Sequence, residues 1–353
     1  MSKFWSNMAK RTKPYVPGEQ VQATDIIKLN TNENPYPPSP KVTSAIQEVT
    51  NRNLRLYPSP TMDALKESIA AYYELEADNV FVGNGSDEVL AFSFMAFFDP
   101  DKTILFPEIS YSFYPVYAGI FQVPYKTIPL QDDFSIQPKD LFQADGGVIF
   151  PNPNAPTSRY LSVSAVEHIV QQNLDTVVVI DEAYIDFAPD SSSAAKLVEK
   201  YENILIIQTM SKSRSLAGLR VGFALGSPDL IEGLMRIKDS FNSYPVDRLT
   251  LAGAKAAMED TVYFEKTREK IIQTRTWVMK ELETRGFHVL PSAANFVFVT
   301  HPAIEASKIY ESLREQHIFI RYFGKPPVED YVRISIGTDE EMERFFHYLD
   351  KIV

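Results

Sequence analysis

Ile204-Leu205-Ile206-Ile207-Gln208-Thr209-Met210-Ser211-Lys212-Ser213-Arg214-Ser215-Leu216-Ala217-Gly218-Leu219-Arg220 begins as an apolar run and ends in a hydroxyl-rich turn, which places Lys212 at the mouth of a buried strand. Upstream, Val177-Val178-Val179-Ile180 runs directly into Asp181-Glu182-Ala183-Tyr184, so an acid and a phenol leave a second strand at its carboxyl end. In open α/β sheets ligands bind outside the carboxyl ends of the strands, and lysine, acid and phenol therefore converge at one sheet edge.

Outward from these two strands, short β-branched runs alternate with helical patterns. Strands are expected at 80–82, 103–106, 148–150, 177–180, 204–207 and 221–225, with helices over 87–98 and 164–172 between them. That alternation predicts an α/β fold: a large domain with a mostly parallel central sheet sandwiched by helices. After Ser227 the pattern changes to helices over 229–241 and 247–285, the second reading as one long connector stopped by Gly286. Strands at 295–299, 318–320 and 331–336 follow, and Thr338-Asp339-Glu340-Glu341 has capping-box spacing for a last helix. These suit a smaller α+β C-terminal domain. The first forty residues, rich in proline and asparagine, read as an irregular arm. The chain thus divides into an arm at 1–40, a large domain at 41–245 and a small domain at 246–353, with an exposed serine loop at 191–193.

At 353 residues and 44% apolar the chain can bury a large core. It has no cysteine, which excludes disulfides, thiolate nucleophiles and cysteine-ligated metals. Its 5 histidines lack the short spacings of a metal site, so no metal is expected. A net charge of −11 argues against nucleic-acid partners, and any anionic substrate must meet specific residues. No signal-peptide core precedes residue 20, and the longest nearly uncharged apolar run, 89–98, is about half what a membrane-spanning helix needs. A soluble, cytoplasmic protein is expected.

The strand at 80–82 leads into Gly83-Asn84-Gly85-Ser86-Asp87-Glu88 and a helix. Glycines let the backbone approach closely, and the amides of Ser86 and Asp87 at a helix start can donate to a phosphate. Lone lysines in serine-rich turns are ordinarily solvated, but here Thr209, Ser211 and Arg220 supply further phosphate donors around Lys212. Asp181 can pair with a ring nitrogen and Tyr184 can donate to a phenolic oxygen. A carboxylate beside a pyridine nitrogen keeps it protonated, so the ring accepts electrons when a Cα–H bond breaks. Together these are the requirements of pyridoxal 5'-phosphate.

In Leu29-Asn30-Thr31-Asn32-Glu33-Asn34-Pro35, Arg55-Leu56-Tyr57-Pro58, Gly83 to Glu88, Pro151-Asn152-Pro153-Asn154-Ala155-Pro156-Thr157, Asp181 to Tyr184, Ser211-Lys212 with Ala217 to Gly222, and Val332-Arg333-Ile334-Ser335, the sequence resembles the fold-type I, class-II pyridoxal-phosphate-dependent aminotransferases over essentially its whole length. The likeness is nearest to their histidinol-phosphate branch. The resemblance implies that Lys212 holds the cofactor covalently and later moves the proton, and that Tyr111 stacks on the ring. It implies that Tyr57 reaches the cofactor phosphate of a neighbouring subunit, hence a homodimer with shared active sites. It makes Arg333 and Arg321 the substrate's anion ligands, and the arm, with Tyr15 and Glu33, a contributor of substrate contacts. One departure stands out: the asparagine the family places before Pro-Thr-Gly is Ala155 here, and the glycine is Ser158, which leaves Asn154 to make the contact.

The implied reaction moves an amino group from histidinol phosphate to 2-oxoglutarate, giving imidazole acetol phosphate and glutamate in histidine biosynthesis. Within the fold the rivals are an aromatic amino acid aminotransferase, an enzyme of dual specificity, and a decarboxylase of phosphorylated threonine. A ligand-sensing transcription regulator would need a DNA-binding domain ahead of the first core helix and a basic footprint, and the sequence offers neither.

Overall fold

The computed structural model describes residues 3–15, 19, 25–189 and 192–353. Its centre is a 7-stranded sheet in the spatial order Val80–Gly83, Gly222–Gly226, Ile204–Thr209, Val178–Asp181, Val148–Pro151, Ile104–Pro107, Tyr125–Ile128. All neighbours run parallel except Gly222–Gly226, which is antiparallel to both of its partners. The strands predicted from apolar runs are therefore present, and the sheet is mostly parallel.

Two cores cover its faces. Val178, Ile180, Ile204 and Ile206 pack into one, whereas Val179, Leu205 and Ile207 pack into the other, with all seven buried. A strand buried on both sides cannot afford alternation with polar residues, which is why the sequence reads as continuous apolar runs. Each such side chain contributes about 1.5–3 kcal/mol of burial free energy. Tyr125–Ile128 was not legible in the sequence because it is the sheet's edge, with three of its four residues exposed and no apolar face to betray it.

The C-terminal sheet has 4 strands in the order Arg321–Tyr322, Val332–Ser335, Phe296–Thr300, His288–Val289, all antiparallel. Helix Asp339–Leu349 covers it and begins with the expected capping box between Thr338 and Glu341. The single connector predicted over 247–285 is in fact two helices, Arg248–Glu259 and Thr261–Thr284. They break at Asp260, whose carboxylate accepts from the Ser39 hydroxyl and from Lys41 Nζ (3.0 Å), a tertiary demand that no local glycine or proline announces. Ala254, Ala257 and Met258 of the first helix pack in the large-domain core, while Ile271, Val278 and Leu282 of the second pack in the C-terminal core. The side chains of the two helices thus change core across Asp260.

The arm is partly regular. Ile27–Lys28 pairs in parallel with Ile318–Phe319, and Ile27 and Leu29 are buried in the C-terminal core. The expected exposed loop at 191–193 is corrected where it is described: Ser192 is buried, and Ser193 caps a short helical turn and donates to Glu182 (2.6 Å). Ser191, like residues 1–2, 16–18, 20–24 and 190 of the predicted segments, lies outside the described residues.

Candidate active site

The strand ends converge as their order in the sheet demands. A cleft of about 680 Å³ opens at the carboxyl edge, bounded by Lys212, Asp181, Tyr184, Ser86, Asp87 and Tyr111 on the large-domain side and by Arg321 and Arg333 from the C-terminal sheet, with Phe323 just beyond the Arg321 strand. Thr209, Ser211, Arg220 and Tyr15 also lie in its wall.

Lys212 is half-buried, and its Nζ donates to the Thr31 carbonyl (2.9 Å) 5.8 Å from the centre of the Tyr184 ring. Burial, reinforced by the cations Arg333 and Arg220 against the opposing pull of Glu33 and Asp87, brings its amine down to about 8. Asp181 is 5% exposed and accepts from Tyr114 Oη (3.2 Å) and the Ala183 amide (3.2 Å). Burial raises its carboxyl to about 6 despite those two donors.

A phosphate cup forms beside them. Helix Ser86–Phe97 starts at Gly85, with φ +82° and no side chain capping its free amides. A Cβ on Gly85 would stand 2.6 Å from an Arg220 Nη, and one on Gly222 would stand 2.2 Å from the Ser86 amide nitrogen, so only glycine lets these segments close up. Arg220 reaches Ser211 Oγ (3.3 Å) and Asp87 (3.3 Å), and Thr209 and Ser211 bond each other (3.0 Å). Tyr111 donates to the other Asp87 oxygen (2.6 Å), which with burial drives its hydroxyl far above the usual tyrosine range.

On the opposite wall Arg333 donates to the Asn30 carbonyl (2.9 Å) and lies over the Phe296 ring (5.2 Å), while its Nε is buried with no partner. Burial lowers its pKa, and the Arg321 charge adds to the effect. Among the described residues neither arginine forms an ion pair, so two guanidiniums face the cleft with anion-binding capacity to spare.

Not every predicted residue stands in the wall. Glu33 is drawn aside by Lys28 Nζ (2.6 Å) and Thr31 Oγ1 (2.6 Å), which hold its carboxyl low against burial. Asn154 is fully buried, donates its amide to the Ile109 carbonyl (2.9 Å) and Thr157 Oγ1 (2.9 Å), and is absent from the wall, where Ala155 stands instead. The contact expected of Asn154 is thus not offered by this arrangement, because its donors are already spent on the loop. Tyr57 is 78% exposed and stacks on Tyr244 (4.6 Å), outside this cleft.

Sequence reasoning missed several neighbours. Tyr114, fully buried, was hidden in an aromatic run, although a buried phenol needs a polar partner and Asp181 is one. Phe323 and Lys325 lie on a loop with no periodicity to place it. Asn32 was noticed only as motif: its φ is +57°, and it joins Tyr184, Ser335 and Asn295.

This donor set fits pyridoxal phosphate. A buried carboxylate stands ready for a ring nitrogen, an amine of lowered pKa for the aldehyde, and an uncapped helix start with Ser211 and Arg220 for the phosphate.

The comparisons agree with that chemistry. The family model for aminotransferase class I and II matches residues 24–349. A histidinol-phosphate aminotransferase 1 of Hydrogenovibrio crunogenus is 57% identical over 353 residues, covering 100% of this chain and 99% of the relative. One from Clostridium acetobutylicum is 54% identical over 352 residues, with the same coverage. Among solved structures, a histidinol-phosphate aminotransferase from Sinorhizobium meliloti in complex with pyridoxal-5'-phosphate superposes with a TM-score of 0.87 at 25% identity, over 97% of this chain and 95% of that one.

Proposed function

The chain belongs to the class I and II aminotransferases, and we propose that it exchanges amino groups between L-histidinol phosphate and 2-oxoglutarate, giving imidazole acetol phosphate and L-glutamate in histidine biosynthesis. The carrying observation is that Arg321 and Arg333, which form no ion pair among the described residues, line the same cleft as Lys212. A site that must accept a phosphate ester in one half-reaction and a dicarboxylate in the other needs strong, geometry-tolerant anion ligands, and guanidiniums serve both. The substrate reading is supported further by relatives of that name at 52–57% identity over the full length.

Bound pyridoxal phosphate supplies the electron sink for Cα–H cleavage. The protein's own residues do the rest. Asp181, with its carboxyl raised only to about 6, is ionised at neutral pH and would pair with the cationic ring nitrogen and hold the ring in place. Ser86, Asp87, Ser211, Thr209 and Arg220 would hold the phosphate end through amides, hydroxyls and guanidinium. Tyr111 and Tyr184 both line the cleft, where Tyr111 would border the ring and Tyr184 would offer it a hydroxyl. Lys212, brought down to about 8, is neutral often enough near neutral pH to take a proton from substrate carbon and return it one position away. Tyr15, stacked on Phe113 (4.4 Å), lines the arm side of the cleft.

A homodimer completes this reading. Leu54, Leu56, Tyr57, Phe241 and Tyr244 are all exposed, an apolar group better suited to a partner than to water. Tyr57, which lies outside its own cleft, is then free to reach the partner's phosphate site. No helix among the described residues is long and apolar enough to cross a membrane; with small polar substrates, this supports a cytoplasmic setting.

The test is a single-turnover absorbance change on mixing the cofactor-loaded protein with histidinol phosphate and, separately, phenylalanine. Fast bleaching at low histidinol phosphate is expected; bleaching by phenylalanine alone would move the chain to the aromatic branch.

A further inference from the structure

The geometry points to Asn32 as the positioning residue that aims the Tyr184 hydroxyl proton into the cofactor site, an inference that rests on the aminotransferase reading above. Three bonds decide which way its amide faces. The Asn32 backbone N–H donates to Ser335 Oγ (3.0 Å), so the Ser335 proton remains to be given, and Asn32 Oδ1 accepts it (2.8 Å). With the oxygen end committed, the nitrogen end meets Tyr184 Oη at 3.0 Å. An amide nitrogen only donates, so the phenol oxygen accepts and its own proton is left for another acceptor. Tyr184 and Asn32 both line the cleft that holds Lys212, whose Nζ lies 5.8 Å from the centre of the Tyr184 ring.

The frame around this bond is rigid. Asn32 is 1% exposed, and its carbonyl accepts from Asn295 Nδ2 (3.0 Å). Its backbone sits at φ +57°, a left-handed conformation that asparagine enters more readily than most residues. Ser335 lies two residues beyond Arg333 on the same strand, so the residue that orients the phenol is tied to the strand that meets substrate. Tyr184 is thereby a donor toward the cleft before any ligand arrives, which is electrostatic preorganisation rather than an induced contact.

Asn32→Asp tests this, because a carboxylate keeps the shape but can only accept, turning the Tyr184 proton away from the cleft. The readout is the pH midpoint of the bound cofactor's visible absorption in N32D, Y184F and the double variant, across the pH range where a carboxylate there is ionised. N32D and Y184F should each raise the midpoint by about one unit, since the anionic phenolic oxygen loses its donor. In the Y184F background the shift caused by N32D should fall to less than half, the remainder being the bare charge. A wild-type midpoint in N32D, or fully additive shifts, would overturn the proposal. Asn32→Gly takes up φ +57° freely and adds no charge; it should lower kcat about tenfold at unchanged KM, and a wild-type kcat there would also overturn it. Failure of the aminotransferase reading looks different: wild-type protein itself would show no visible band with pyridoxal phosphate and no amino transfer.

Discussion

Arg321 and Arg333 stand directly opposite one another on adjacent antiparallel strands, two cations paired by register with no carboxylate joined to either among the described residues. Such a pair is costly in an empty protein, and the proposed anionic substrates would relieve that cost.

Arg333→Leu should therefore raise the stability of the cofactor-free protein by about 1 kcal/mol while lowering kcat/KM for both substrates by two to three orders of magnitude, or roughly 3–4 kcal/mol. Arg321→Leu should affect histidinol phosphate more than glutamate. Urea unfolding and the two half-reactions measured separately check both statements.

Lys212→Met should leave a folded protein that still binds the cofactor non-covalently but gives no steady transamination. It should also be more stable than wild type at neutral pH. The folded amine lies near 8 against the ordinary 10.5, so the unfolded chain holds more protons between those values. Wild-type stability accordingly climbs as pH rises from about 8 to 10.5, and the advantage of the variant should shrink over that window. Denaturant melts in a pH series measure this; a constant difference would refute it.

Cofactor affinity should fall as pH drops through about 6, where the Asp181 carboxyl takes up its proton in the free protein and stops attracting a cationic ring nitrogen. Asp181→Asn should remove that dependence and slow the half-reactions severely with little loss of fold. Fluorescence titration with pyridoxal phosphate across pH is the check.

Gly222→Ala should cost about 3 kcal/mol, since its Cβ would fall 2.2 Å from the Ser86 backbone nitrogen and neither segment has a flexible side-chain end to yield. Whatever protein folds should bind the cofactor phosphate weakly. Thermal unfolding and phosphate titration separate the two effects.

For Tyr57→Phe, affinity for the cofactor should drop about tenfold, the worth of one charge-assisted hydrogen bond. In mixed dimers the loss should follow the chain opposite the intact Lys212. Loss following the same chain would place Tyr57 in its own cleft and refute the shared site.

The buried machinery was legible because its constraints are local. Val177 to Tyr184 and Ile204 to Lys212 each carry a strand and its functional end in one uninterrupted run, and the uncapped glycine start before Ser86 marks a phosphate cup in the same way. What was hidden depends on distant partners. Asp260 breaks a helix because Ser39 and Lys41 hold it, and Asn154 leaves the wall because Ile109 and Thr157 take its amide. Asn32 was visible as a letter in the arm, but its bearing on Tyr184 arises only when Ser335, from the far end of the chain, is brought against it.

The strand at Ile27–Lys28 is only two residues long, yet it is laced to Ile318–Phe319, and Leu29 continues the lacing to Phe319 and Ser335. Just beyond, the Thr31 carbonyl rests on the Lys212 ammonium. The arm is therefore a drawbar between the C-terminal sheet and the reactive amine: a displacement of that sheet would be carried through Leu29 to the carbonyl that holds the lysine. A change in the turn before Ile318, far from Lys212 along the chain, would be felt as a change in how readily that amine lets go.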